Sequence, residues 1–361
     1  MSTATQSAPG TPAQRQEQQS VRSQRRLPRF APLGLYLGGL ALGAALSALT
    51  GFSLVTTVIY GVALGTLAVY VAARAVEGRR QATDRLVTCL VTTAFGIAMV
   101  PLLSLVYTVV TRGAARFDGA FFSNSMFRVV GEGGGAYHAI IGTLIITALT
   151  AAISVPIGLM TAIYLVEYGR GRLKKAITFF VDVMTGIPSI VAGLFAFAFF
   201  TLLFGNNVRL GVMGAVALSV LMIPVVVRSC EEVLKLVPNE LREASYALGV
   251  PKWRTVVKVV LPTAIAGLGT GITLAIARVV GETAPLLITV GLITGTNLNP
   301  FDGRMATLPV FAYYQLTQPG TSPQAFLDRA WTAALLLIIL VMALNIVARL
   351  ISRFFAPKSG R

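Results

Sequence analysis

Long uninterrupted apolar runs dominate this chain, and apolar and polar positions rarely alternate. Eight runs stand out, at about 33–50, 54–73, 86–110, 139–166, 176–204, 210–227, 260–288 and 330–350. Each can cross a hydrocarbon core about 30 Å thick. Backbone groups cannot stay unpaired in lipid, so the candidates are helices or a closed barrel. Barrel strands would alternate, so the continuous runs predict an all-α polytopic membrane protein with eight spans. Residues 1–31, rich in Ser, Thr, Gln, Pro and Arg, predict a disordered basic tail. The first apolar run follows this polar stretch and is itself span-length, so an uncleaved first helix is expected rather than a secretory signal. The first two spans predict a hairpin turning near Thr50–Gly51. The basic stretch "RAVEGRRQATDR" (74–85) then separates that hairpin from the other six spans. The expected domains are the tail (1–31), an accessory transmembrane hairpin with its linker (32–85), and a six-helix core (86–355) carrying a cytoplasmic loop at 228–262.

Composition agrees. Of 361 residues, 55% are hydrophobic and 12% charged, and the mean hydropathy is +0.75. A soluble domain would hold about a quarter charged residues. The net charge of +16 invites a nucleic-acid reading, but its placement argues against one. With the N-terminus in the cytoplasm, the inner segments hold 23 of the 30 Lys and Arg. That asymmetry satisfies the positive-inside rule and predicts both termini in the cytoplasm. Cys89 falls in a span and Cys230 at a cytoplasmic edge, so neither a disulfide framework nor a paired-cysteine metal spacing is expected. His138, the only histidine, follows the glycine-rich "GEGGGAY" and is expected to be solvated. A membrane-embedded enzyme would need convergent acids, yet the outer segments offer only Asp118, Glu132, Asp302 and Asp328, scattered and without a motif.

Two features carry candidate chemistry. The first is "IARVVGETAPLLITVG" (276–291), where Arg278 and Glu282 interrupt an apolar run. A charge at the centre of a membrane helix costs about 2.5–3.5 kcal/mol on insertion scales, so intramembrane ionisable residues are functional candidates. Arginine stays protonated and its planar fork matches oxyanion oxygens. Glu282, at i+4, is placed to neutralise Arg278 when no substrate is present. The competing reading is an Arg–Glu pair that only locks helices together. Pro285 is expected to kink or break this span. The second feature is the polar insert 228–262. Pro238 suits a helix start, with Asn239 and Glu240 in the first turn. Leu241, Ala244, Ser245 and Leu248 recur on one face, and Gly249 sits where a C′ glycine ends a helix. A second helix restarts at Pro251 and leads into a span. Such a hairpin either docks into a groove on a partner or is simply solvated.

The motif "EASYALG", nine residues and then "VVLP" resembles the EAA motif of binding-protein-dependent ABC importer permeases. Glu243, Ala244, Gly249, Leu261 and Pro262 match it, while Ser245 and Val259 replace the usual alanine and isoleucine. The stretches "MIPVVVRSCEEVLKLVPNELREASYALG", "ARVVGETAPLLITVG", "DVMTGIPSIVAGLF" and "TLPVFAYY" are similar to the PstA-type permeases of phosphate importers. The first 85 residues depart from that six-helix pattern. The resemblance implies a type I importer permease core in a bacterial cytoplasmic membrane, forming half of a translocation path for inorganic phosphate. It also implies that 238–249 is the coupling helix, with Glu240, Leu241, Glu243, Ala244, Leu248 and Gly249 facing an ATPase subunit dimer. Arg278 and Glu282 then become pathway residues. Arg228, at the cytoplasmic end of its span, reads as a topology anchor, while the resemblance makes it a second candidate contact at the anion's exit. Asp182, also near the inner face, is open to a packing or gating role. The implied partners are a second homologous permease and an extracytoplasmic phosphate-binding protein. The chain has no Gly-Lys dipeptide and hence no Walker A loop, so ATP and Mg²⁺ are expected on the separate ATPase and no cofactor on this chain. A permease for sulfate, molybdate or another oxyanion is the alternative within the class. A membrane-embedded enzyme or a scaffold is the alternative outside it.

Overall fold

Glycine decides how closely the first two helices approach. In the computed structural model, α1 (Ala31–Leu49) and α2 (Leu54–Val76) form the expected hairpin. A Cβ on Gly39 would lie 2.4 Å from the Gly65 backbone, and one on Gly43 would lie 2.3 Å from that of Gly61. Only bare backbones fit there, as in other small-residue membrane crossings. The structure describes residues 27–355 apart from Arg29, Thr50, Phe52 and Asn207. The tail expected to be disordered therefore lies almost wholly outside the described residues.

The stretch 74–85, expected as a linker, is mostly helical. α2 runs to Val76 and α3 (Arg79–Gly113) starts three residues later. Between them Gly78 takes a left-handed φ of 91°, a turn open to glycine at no steric cost. Glu77 accepts two hydrogen bonds from the Arg85 guanidinium, at 2.6 and 2.7 Å, which offsets one of the four basic charges and ties the first turns of α3 back to the end of α2. The chain divides into two compact units, Met1–Val106 and Tyr107–Arg361, and the division falls inside α3. Within the first unit the Tyr36 hydroxyl meets Thr93, so the hairpin is tied to α3.

Among its described residues the second unit holds helices joined by loops and no strand. A short α4 (Gly119–Ser123) precedes α5 (Tyr137–Ile163), which continues through a π turn at Tyr164–Tyr168. Then come α6 (Gly171–Thr185), α7 (Ser189–Phe204) and α8 (Gly211–Lys235). The hairpin helices α9 (Asn239–Ala247) and α10 (Lys252–Thr255) lead by a second π turn into α11 (Leu261–Val280). α12 (Ala284–Thr289), α13 (Leu308–Thr317) and α14 (Pro323–Phe355) complete the unit. α8 is central. Its Leu218, Met222, Val226, Cys230 and Leu234 are buried in one core with Ile146 of α5 and Leu268, Ala275 and Val279 of α11. Glycines again permit close packing, with Gly158 on Val226, Gly267 on Val233 and Gly271 on Ser229.

Two expected spans are interrupted. The run 176–204 is two helices, α6 and α7, bent by 106°. Pro188 has no N–H to donate and disfavours helical geometry at Ile187, so α6 stops at Thr185 and α7 starts after the proline. The run 260–288 likewise breaks at Gly281, and Pro285 opens the short α12. Among the described residues seven helices are long and apolar enough to span, or eight with the bent pair counted as one.

Two polar residues differ from their expected settings. His138 is 2% exposed rather than solvated. The glycine-rich loop turns back through left-handed Gly131, Gly133 and Gly134, and the ring stands edge-on to Phe311 with centroids 5.5 Å apart. Arg329, which falls just outside the apolar run 330–350, is fully buried in α14. It donates to the Gln315 side-chain oxygen at 3.0 Å and to the carbonyls of Gly131 and Gly133 at 2.9 and 2.8 Å. Arg329→Leu leaves those acceptors unpaired, at a cost of about 1–3 kcal/mol. The expected result is a lower unfolding temperature of the purified protein in detergent.

Candidate functional site: a cavity at two broken helices

Both helix breaks open onto one cavity of about 220 Å³. Met184, Thr185, Ile187 and Ser189 line it from the α6–α7 break. Leu221 and Val225 line it from α8, Arg278 and Val279 from the last turn of α11, and Glu282 from the break beyond it. Its volume suits an ion of a few atoms, since a water molecule occupies about 30 Å³ in the liquid. Interrupted helices are the usual source of solute sites at membrane depth, because they offer helix ends and free backbone to the ligand. Here the N-terminus of the 16-residue α7 starts at the cavity wall, at Ser189. That is the end of a helix that favours negative charge.

Arg278 and Glu282 share this cavity but do not pair. No ion pair or hydrogen bond joins either side chain to another group among the described residues. The expected i,i+4 contact needs continuous helix, and α11 ends at Val280 with Gly281 as its cap. Past that break Glu282 leaves the helical register. The guanidinium and the carboxylate are therefore both available to a third group.

Arg228 does not line the cavity. It donates from Nη2 to Asp182 of α6 and from Nη1 to Glu231 at 2.8 Å. Glu231 is also bound by Lys235 at 2.8 Å. Asp182 and Arg228 are thus brought together across 46 residues of sequence, a contact that helical spacing does not reveal.

The hairpin α9–α10 has the geometry its sequence predicts. Gly249 has φ 74°, its N–H donates to the Tyr246 carbonyl at 2.9 Å, and the Val250 N–H reaches Ser245 at 3.3 Å. This bond pair is a Schellman cap. On the predicted apolar face only Ser245 is buried, where it meets the Thr255 hydroxyl at 2.8 Å. Leu241, Ala244 and Leu248 stay exposed, Leu248 at 83%, as do Glu240 and Glu243. Arg242 escaped the sequence reading. Its guanidinium grips buried Glu167 in the π turn after α5, at 2.9 and 3.0 Å, and donates to the carbonyls of Leu234 and Val237. Lys252 lies over the Tyr168 ring at 5.1 Å. The hairpin is thereby fixed to the ends of α5 and α8. Glu167 is 75 residues away in sequence from Arg242, so no local signal announces the pair.

Broken helices around a small polar cavity, with a capped hairpin running into the next span, define a permease-type membrane fold. A solved structure has a similar fold. One chain of a bacterial alginate ABC transporter, crystallised in complex with an alginate pentasaccharide-bound periplasmic protein, superimposes with a TM-score of 0.54 at 14% identity, covering 77% of this chain and 97% of that one. That likeness concerns the fold alone. The sequence goes further. Residues 154–361 match the family described as "Binding-protein-dependent transport system inner membrane component", and this chain belongs to that family. It is 48% identical over 286 residues to the phosphate transport system permease protein PstA 1 of Mycobacterium tuberculosis, covering 78% of this chain and 91% of the relative. It is 39% identical over 260 residues to PstA of Pasteurella multocida, covering 71% and 88% respectively.

Proposed function

We propose that this chain is a transmembrane permease subunit of an ATP-driven phosphate importer and forms half of its translocation pathway. One observation carries the reading: Arg278, with no carboxylate partner among the described residues, lines a small cavity at the meeting point of two broken helices. A guanidinium left open in this way suits a passing oxyanion, which takes one strong contact and then leaves. Glu282 supplies the repulsion that keeps the stay short. Arg228 is the next contact toward the cytoplasm. The relatives named for phosphate transport support phosphate over sulfate or molybdate.

In this reading both termini are cytoplasmic, as the basic segments favour. A solute-binding protein delivers phosphate at the opposite face, and a second, homologous permease supplies the other half of the path. Glu240, Leu241, Glu243, Ala244, Leu248 and Gly249 seat in a separate ATPase, where ATP and Mg²⁺ bind. The exposed apolar residues of α9 support that contact. The Arg242–Glu167 clamp carries its motion to α5 and α8.

Uptake of labelled phosphate by the assembled importer tests the reading. Unlabelled phosphate in excess is expected to suppress uptake, and sulfate in equal excess to leave it unchanged. Suppression by sulfate would instead make the chain a permease for another oxyanion. Purification from mild detergent is expected to bring down a nucleotide-binding subunit.

A further inference from the structure

We propose that the Asp182–Arg228 ion pair closes the Arg278 cavity on the side of the α9–α10 hairpin, and that the transported oxyanion opens it by taking Asp182's place on the guanidinium. The proposal deepens the function given above and rests on it.

Position makes the first argument. Thr185 of α6 and Val225 of α8 both line the cavity. Asp182 precedes Thr185 by three residues and Arg228 follows Val225 by three. Residues three apart are neighbours on one helix face, displaced by about 4.5 Å along the axis. The ion pair therefore lies directly beyond the cavity wall on both helices at once. It also lies toward Lys235, where α8 ends and the hairpin begins.

Exposure makes the second argument, because the two counter-ions of Arg228 differ. The Glu231 side chain is 8% exposed, is held by Lys235 as well, and binds Nη1 at 2.8 Å. The Asp182 side chain is 59% exposed and binds Nη2. One carboxylate is a fixed anchor that aims the guanidinium. The other is held weakly, as solvent-exposed ion pairs are, and an oxyanion can displace it. A phosphate leaving Arg278 then meets an oriented cation whose second position is exchangeable. No bond is made or broken covalently, and Asp182 returns when the anion has left.

The assembled importer, reconstituted in proteoliposomes loaded with labelled phosphate, tests this directly. Asp182→Asn is expected to raise nucleotide-independent phosphate efflux about fivefold, the scale of losing one accessible ion pair. The chain has two cysteines, Cys89 and Cys230, so a cysteine-free background is simple to make. In that background Asp182→Cys with Arg228→Cys should cross-link through a short bifunctional thiol reagent in the nucleotide-free state, and the yield should fall when nucleotide is trapped. A D182N complex as tight as wild type, or a cross-link of equal yield in both states, overturns the proposal. Neither readout depends on uptake, so a tight D182N complex alongside uptake lost in Arg278→Gln removes the closure alone. Full uptake in Arg278→Gln removes the reading of the cavity.

Discussion

Arg278→Gln should cut phosphate uptake by roughly ten- to hundredfold while the assembled complex is recovered in normal yield. The factor corresponds to about 1.5–3 kcal/mol, the worth of a hydrogen bond to a charged group. The two effects separate because Arg278 holds nothing else: it makes no ion pair or hydrogen bond among the described residues. Glutamine is shorter and uncharged but keeps a polar, hydrogen-bonding side chain, so the fold of the cavity wall should be retained. A purely local role predicts a different pattern. Arg278 sits in the last turn of α11, where a cation offsets the helix dipole by about 0.3–1 kcal/mol. Losing only that would lower stability slightly and leave uptake intact. Labelled uptake in proteoliposomes, with recovery of the complex measured on the same preparation, separates the two. Arg278→Lys should give an intermediate rate, since an ammonium keeps the charge and loses the fork.

Sequence patterning anticipated the elements better than the contacts, for identifiable reasons. The apolar runs located the spans because a helix in lipid is apolar over its whole length. The cap at Gly249 was visible because a helix end is local chemistry, carried by one residue with left-handed geometry. The break before Pro188 was missed although the proline was in plain view. Apolar residues continue on both sides of it, and hydropathy does not register a 106° bend. That omission hid half of the cavity, because Met184, Thr185, Ile187 and Ser189 all come from the break. The Arg278–Glu282 pairing failed for a related reason. The i,i+4 rule assumes helix, and helix ends at Val280. The settings of Arg329 and His138 and the Arg242–Glu167 clamp depend on segments distant in sequence. A run of residues states its own periodicity, but it does not name the surface that comes to cover it.

Gly249→Val should uncouple ATP hydrolysis from transport, leaving hydrolysis by the complex near normal and reducing phosphate uptake about tenfold or more. A Cβ at this position would find nothing within 4 Å, so steric collision contributes nothing. The effect comes from the backbone, which holds φ at 74°. Left-handed geometry costs an L-residue roughly 1–2 kcal/mol, and a β-branched side chain is worse placed there. Valine therefore pulls the chain out of the turn and breaks the Gly249–Tyr246 and Val250–Ser245 bonds that end α9. The Ser245–Thr255 contact, which holds α9 against α10, depends on the same turn. With it gone, movement of α9 no longer reaches α11 through the continuous stretch Lys252–Val280. The spans themselves are untouched, so the subunit should still insert and assemble. Gly249→Asn is the discriminating control, since asparagine tolerates left-handed geometry. If the turn is what matters, asparagine restores most of the uptake and valine does not. Equal loss in both variants would mean that the bare backbone of Gly249 is itself a contact surface, and equal retention would mean that force reaches the spans by another route, with the Arg242–Glu167 clamp the next to break.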